Sequence, residues 1–149
     1  MQPKYFEEYN IGDKFITPRR TITDTDITLM VSLCQYVHPM FVDEEFAKTT
    51  VFGRRILPGV LTVSFMQGLT ELAYPWDMSG VVGIVGVNNA KFRAPVMVGD
   101  TINVEVETFA KTETKRPDRG LVTFKQTCKN QKGEAVVEVE TIIMVLRKP

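Results

Sequence analysis

The chain has 149 residues, enough for one domain whose apolar core needs no metal or disulfide to hold it. Eighteen Lys and Arg balance eighteen Asp and Glu, so no bulk charge draws the protein to nucleic acid or to an anionic membrane. Cys34 and Cys128 lie far apart in no metal-ligand spacing and read as reduced thiols of an intracellular protein, with a disulfide as the second option.

The opening residues, Met1 to Glu8, contain no apolar stretch that could act as a signal peptide. The most apolar run, Ile56 to Leu69, is interrupted by Pro58, Gly59, Gln67 and Gly68 and is too short to span a bilayer. The expectation is a single domain over residues 1–149, soluble and cytoplasmic, with no membrane or nucleic-acid partner.

In chain order, Ile11-Gly12-Asp13 reads as a turn into a short extended run to Thr17. Thr23 stands where a helix N-cap belongs, with Asp24 and Asp26 at the positive helix end. Ile27, Met30, Val31 and Cys34 then follow at three- and four-residue spacing, an amphipathic helix ending near Tyr36. Pro39 forbids helix through its own position and disfavours it at His38, so residues 36–41 are irregular.

Asp43 to Ala47 reads as one or two helical turns, with Asp43 and Glu44 as cap and first-turn acid rather than a catalytic carboxylate pair. A second helix is expected from Pro58, a favourable first-turn residue. It carries Val60, Leu61, Val63, Phe65, Met66, Leu69 and Leu72 around most of its circumference, which predicts burial on nearly all sides.

From Gly80 the apolar period falls to two. Val81–Val87, Thr101–Phe109, Leu121–Asn130 and Ala135–Leu146 are predicted strands, the last three joined by short turns at 116–120 and 130–133. Gly83 and Gly86 open no helix and form no phosphate-binding loop. The fold class is therefore α+β, and an antiparallel sheet curling around the second helix is the simplest way to bury it.

Three segments resemble the MaoC-like, (R)-specific enoyl-CoA hydratase family. They are Tyr9–Asp13 with Arg20–Ile27, the central stretch Phe41–Leu61, and Phe92–Thr101. The resemblance implies a hot-dog fold, a long central helix wrapped by a curved antiparallel sheet, and dimerisation through sheet edges. It also implies a thioester substrate on coenzyme A or a carrier protein, with coenzyme A entering as part of the substrate and no other cofactor or metal.

The family signature Gly-Asp-x-Asn-Pro-x-His-x-Asp is altered. Aligning on Pro39 and Asp43 places Gln35 and Tyr36 in the Gly-Asp positions, His38 in the Asn position and Phe41 in the position of the catalytic His. Pro58 also replaces the His that commonly precedes the helix-starting Gly. Hydrating an enoyl thioester needs a base for water, an acid for the α-carbon and donors for the carbonyl oxygen.

Phe41 can transfer no proton and reads as an apolar wall beside Pro39. A phenol such as Tyr36, with an ordinary pKa of ~10, is an acid or hydrogen-bond donor and a poor base at neutral pH. His38, the single histidine, has the side chain best suited to act as base, an imidazole titrating ordinarily at ~6.5; the plain alternative is a loop histidine bonding a neighbour. Gly59 and Val60 open the helix, where free N–H groups favour an oxyanion. Ser64 resembles the hydroxyl residue of the hydratases, or else bonds back to the Val60 carbonyl. Arg54, Arg55, Lys91 and Arg93 are candidate contacts for coenzyme A phosphates.

Three functions fit this pattern. The chain is a hydratase or dehydratase with a non-standard site built on His38, Tyr36 and Ser64; or a non-catalytic thioester-binding subunit paired with a homologous catalytic chain; or an acyl-CoA thioesterase. The first is favoured, as a homodimer or higher oligomer.

Overall fold

The computed structural model describes residues 2–149. Chain order gives β1 (Lys14–Ile16), β2 (Arg20–Thr21), α1 (Asp24–Leu33), α2 (Pro39–Val42), α3 (Glu44–Lys48), β3 (Ile56–Leu57), α4 (Gly59–Ala73), β4 (Val81–Phe92), β5 (Val96–Met97), β6 (Thr101–Glu113), β7 (Arg119–Lys129) and β8 (Ala135–Leu146). The long strands form one antiparallel sheet in the order β1-β6-β7-β8-β4, with β2 beside β6; β3 and β5 make a separate ribbon. No helix among the described residues is long and apolar enough to cross a membrane.

The period-two pattern places one row of side chains inward. Ile102, Val104 and Val106 of β6, Val122, Phe124 and Cys128 of β7, and Val137, Val139, Ile143 and Val145 of β8 are all buried. α4 contributes Leu61, Thr62, Met66, Leu69 and Thr70 as its buried residues and contacts β6 and β8. Burial pushes the Cys128 thiol up to about 12.

Not all of this inner face is apolar. Gln126, Thr141 and Thr70 are buried and bond to one another and to Gln67. Gln126 donates to the Thr70 hydroxyl at 2.9 Å, Thr141 donates to Gln126 Oε1 at 2.5 Å, and the Gln67 amide donates to both Gln126 and Thr141. The network ties the middle of α4 to β7 and β8 in a single register, because any slip would leave buried donors unmatched.

Local signals act as the sequence predicts at the start of α1. The Thr23 hydroxyl accepts from Asp26 N–H at 3.2 Å while the Asp26 carboxylate accepts from Thr23 N–H at 2.9 Å, a reciprocal capping box. Four expectations need correction. α1 ends at Leu33, with Cys34 as C-cap, rather than near Tyr36. α4 starts at Gly59 with Pro58 as its N-cap, not its first helical residue.

β4 and β6 run past their expected ends, to Phe92 and Glu113, because pairing with β8 and β7 continues beyond the alternating apolar residues. Finally, α4 is not sheathed all round. Val60, Ser64, Gly68 and Leu72 form an exposed stripe, with Leu72 at 74% exposure, because only one face of the helix meets the sheet.

Candidate active site

A cavity of about 520 Å³ opens at the start of α4. One side is core: Ile56, Leu57 and Val96 from the β3–β5 ribbon, Val137 from β8, and Thr62 from α4. The other is the segment between α1 and β3, which supplies Tyr36, Phe41 and Phe52. Phe92, Arg93, Ala94 and Pro95 border it from the end of β4, and Pro58, Gly59 and Val60 bring in the helix terminus.

The first turn of α4 is a source of free donors. The Pro58 carbonyl accepts from Leu61 N–H at 2.9 Å and from Thr62 N–H at 3.2 Å. Gly59 and Val60 N–H have no partner among the described residues, as expected for the first amides of a helix. The aligned peptide dipoles of this fifteen-residue helix add positive potential at the same point. Gly59 also accommodates Phe92, whose ring lies 2.7 Å from where a β-carbon at position 59 would sit.

Tyr36 reaches the cavity through the way α1 ends. Gln35 adopts a left-handed backbone, φ 60°. Tyr36 N–H then donates to Val31 O at 3.0 Å and Gln35 N–H to Ser32 O at 3.4 Å, the bond pair of a Schellman motif. Glycine is the usual residue at that left-handed position, and Gln35 is where the hydratase signature has Gly. The chain reverses there and sets the Tyr36 ring edge-on to Phe41, centroids 6.0 Å apart.

His38 is placed differently. It is exposed and is the N-cap of α2, its Nδ1 accepting from Met40 N–H at 3.1 Å. Its ring packs 6.1 Å from Phe41 and 6.0 Å from Phe46, outside the cavity lining. Pro39, first residue of α2, is exposed and also outside it. Asp43 caps α3 by accepting from Phe46 N–H at 3.0 Å.

Ser64 donates to the Val60 carbonyl at 3.4 Å and faces a separate groove beside α1, with Met30, Phe65 and Leu72. Arg54 is turned toward the Val98 carbonyl, 3.1 Å away. Arg93 does border the cavity, but its guanidinium is held by Glu138 at 2.8 Å. Lys91 is exposed and lines a separate depression with Glu138 and Glu140. The structure thus gathers Tyr36, Phe41, Gly59, Val60 and Arg93 around one space and leaves His38, Pro39, Ser64 and Arg54 outside it.

Sequence reasoning passed over three residues. Thr62 is 1% exposed and turned to the cavity; only its distance of one helical turn from Pro58 hinted at this. Phe52 and Phe92 complete an aromatic rim. Arg55, a candidate phosphate contact in the sequence, is engaged within the chain. Its guanidinium donates to Asp24 at 2.5 Å and to Glu44 at 2.8 Å, joining the start of α1 to α3. The hydrogen bond to Glu44, then that to Asp24, raises its pKa above the ordinary arginine value despite partial burial.

The family model for the MaoC-like domain matches residues 7–130. The chain belongs to the MaoC-like domain family. An (R)-specific enoyl-CoA hydratase of Rhodospirillum rubrum is 34% identical over 142 residues, covering 95% of this MaoC-like chain and 91% of the relative. A solved structure described as a monoamine oxidase regulatory protein from Archaeoglobus fulgius is 34% identical, covers 100% of this chain and 98% of its own, and superposes with a TM-score of 0.95. A conserved hypothetical protein of Mycobacterium tuberculosis, described as having a double hotdog fold, shares the fold alone: 19% identity, TM-score 0.83, over 99% of this chain and 45% of that one. The helix-on-sheet architecture of this MaoC-like chain is the hot-dog fold.

Proposed function

We propose that the protein is an acyl-thioester hydratase or dehydratase, a hydro-lyase that acts on a coenzyme A or carrier-bound substrate as a homodimer. The observation that carries this reading is the apolar cavity ending on the two unpartnered amides of Gly59 and Val60. A thioester carbonyl placed there accepts both N–H groups, and the charge that grows on its oxygen as the enolate forms is held by them and by the helix dipole. In other enzymes the loss of one such donor costs about 3 kcal/mol in the transition state.

In this reading Tyr36 supplies a phenolic donor beside the reacting carbons, and Phe41 with Phe52 excludes bulk water. Arg93 stands at the rim, where it can meet the polar arm of the substrate. Ser64 and His38 have structural roles, as a helix-bonded hydroxyl and a cap. Dimerisation is supported by β4, which lies at the free edge of the sheet and exposes Val82, Ile84, Val85 and Val87.

One observation favours the second reading, a thioester-binding subunit without chemistry: no carboxylate or imidazole lines the cavity of the single chain. A panel of trans-2-enoyl-CoA substrates decides between them. Loss of the conjugated-thioester absorbance on adding the pure protein, without release of free thiol, is the expected result. Tight acyl-CoA binding with no turnover gives the second reading instead, and release of thiol indicates a thioesterase.

A further inference from the structure

The polar side chains that line the cavity are those of Tyr36, Thr62 and Arg93. Arg93 is exposed at the rim, with its guanidinium held by Glu138. Thr62 lies at the other extreme. It is buried on the sheet-facing side of α4 and lines the cavity together with the equally buried Leu57, Val96 and Val137.

The Thr62 backbone is satisfied, since its N–H donates to the Pro58 carbonyl. Its hydroxyl has no partner among the described residues. Other buried hydroxyls do: Thr17 donates to the Pro18 carbonyl at 3.0 Å, Thr141 to Gln126 Oε1 at 2.5 Å, and Thr70 accepts from Gln126 at 2.9 Å. Thr108 of β6 also has an unpartnered hydroxyl, but it does not line the cavity.

Nor is the Thr62 hydroxyl sealed in. Tyr9 Oη and Trp76 Nε1 are wholly enclosed without a partner, whereas the Thr62 oxygen keeps contact with open space, and the space beside it is the cavity. Leaving an interior hydroxyl unbonded costs stability, and a valine of similar shape would avoid that cost. The hydroxyl therefore points to a ligand atom that completes it.

α4 fixes where that atom sits. Thr62 is three residues beyond Gly59, so the two positions share one helix face about 5–6 Å apart. With a thioester carbonyl on the Gly59 and Val60 amides, the polar arm leaves past Arg93 and the acyl chain enters between Thr62 and the apolar core wall. The oxygen on the β-carbon, two carbons beyond the carbonyl carbon, is the first polar atom of the acyl side that falls within this reach.

We propose that Thr62 binds the oxygen carried by the β-carbon: the hydroxyl that leaves on dehydration, or the water that enters on hydration. The proposal rests on the hydratase reading of the cavity and names the contact by which it tells a β-hydroxyacyl thioester from its saturated counterpart. A threonine hydroxyl both donates and accepts without changing charge. It therefore holds this oxygen as hydroxyl or as water and carries no proton itself.

The test is calorimetric titration with α,α-difluoro-β-hydroxybutanoyl-CoA, as separate enantiomers, and with α,α-difluorobutanoyl-CoA. Neither has an α-proton, so neither can be dehydrated. Wild type should bind one hydroxylated thioester about 3- to 10-fold more tightly than the saturated one, the worth of a single hydrogen bond. Thr62→Val should lose that preference while its affinity for the saturated thioester stays within about twofold, and Thr62→Ser should keep it. Equal affinity in wild type, or a preference that survives Thr62→Val, overturns the proposal. If wild type binds none of these thioesters, the hydratase reading fails and the Thr62 contact with it.

A second measurement needs no ligand. Because the hydroxyl has no partner to lose, Thr62→Val should unfold in denaturant at a midpoint equal to or above that of wild type. A lower midpoint would show the hydroxyl bonded within the chain, and that too overturns the proposal.

Discussion

The two walls of the cavity are held by different kinds of force. Ile56, Leu57, Val96 and Val137 belong to the buried core and are fixed by close packing against α4 and the sheet. Tyr36, Phe41 and Phe52 sit on a segment of short helical turns with little buried surface, held by end caps, a left-handed Gln35 and the two ion pairs of Arg55. The contrast teaches that the cavity end carrying the free Gly59 and Val60 amides is fixed by the fold, while the end carrying Tyr36 and Phe41 hangs on a few replaceable polar contacts. The second can therefore be altered without unfolding the first, and Gln35 and Tyr36, which stand where the resemblance places Gly-Asp, lie in that second part.

This difference can be broken from either side. The largest effect should come from the core behind the packed wall: Thr141→Val keeps the shape but leaves Gln126 and Gln67 short of a buried partner, for an expected loss of about 1–3 kcal/mol in chemical denaturation. A loss near zero would mean that the network does not hold α4 in register.

Arg55→Met should cost less, about 1 kcal/mol or below, because Asp24 and Glu44 are themselves half exposed and screened. Its signature should instead be faster hydrogen exchange over residues 36–48, with the sheet unchanged. Uniform loosening of the whole chain would show that the segment is not separately held.

His38→Ala should be the mildest. It removes one cap from a one-turn helix, about 0.5–1 kcal/mol, and should leave enoyl-CoA turnover within about twofold. A hundredfold loss of turnover would restore the imidazole to the chemistry.

How much was legible in the sequence follows the same division. The alternation through β6 and β8 and the capping box at Thr23 are short-range patterns, and they predicted the helix-on-sheet architecture and the start of α1 correctly. The free amides at Gly59 and Val60 were likewise visible, because a helix terminus is a local property.

What could not be read were outcomes of tertiary competition. His38 had two possible uses in sequence, as proton carrier or loop bond, and only the fold shows its Nδ1 accepting from the Met40 amide two residues on. The apolar residues around α4 suggested complete burial, yet only the sheet-facing side is covered within one chain. Arg55 resembled a phosphate contact until the fold brought Asp24 and Glu44 to it from thirty-one and eleven residues away.

Gly59 carries a final consequence. Phe92 lies against the bare side of that residue, closer than any β-carbon would permit. Alanine there would act as a wedge, swinging the aromatic shutter outward and widening the doorway to the amides. The width of that entrance is therefore set by two positions far apart in the chain, and neither can be redesigned without regard to the other.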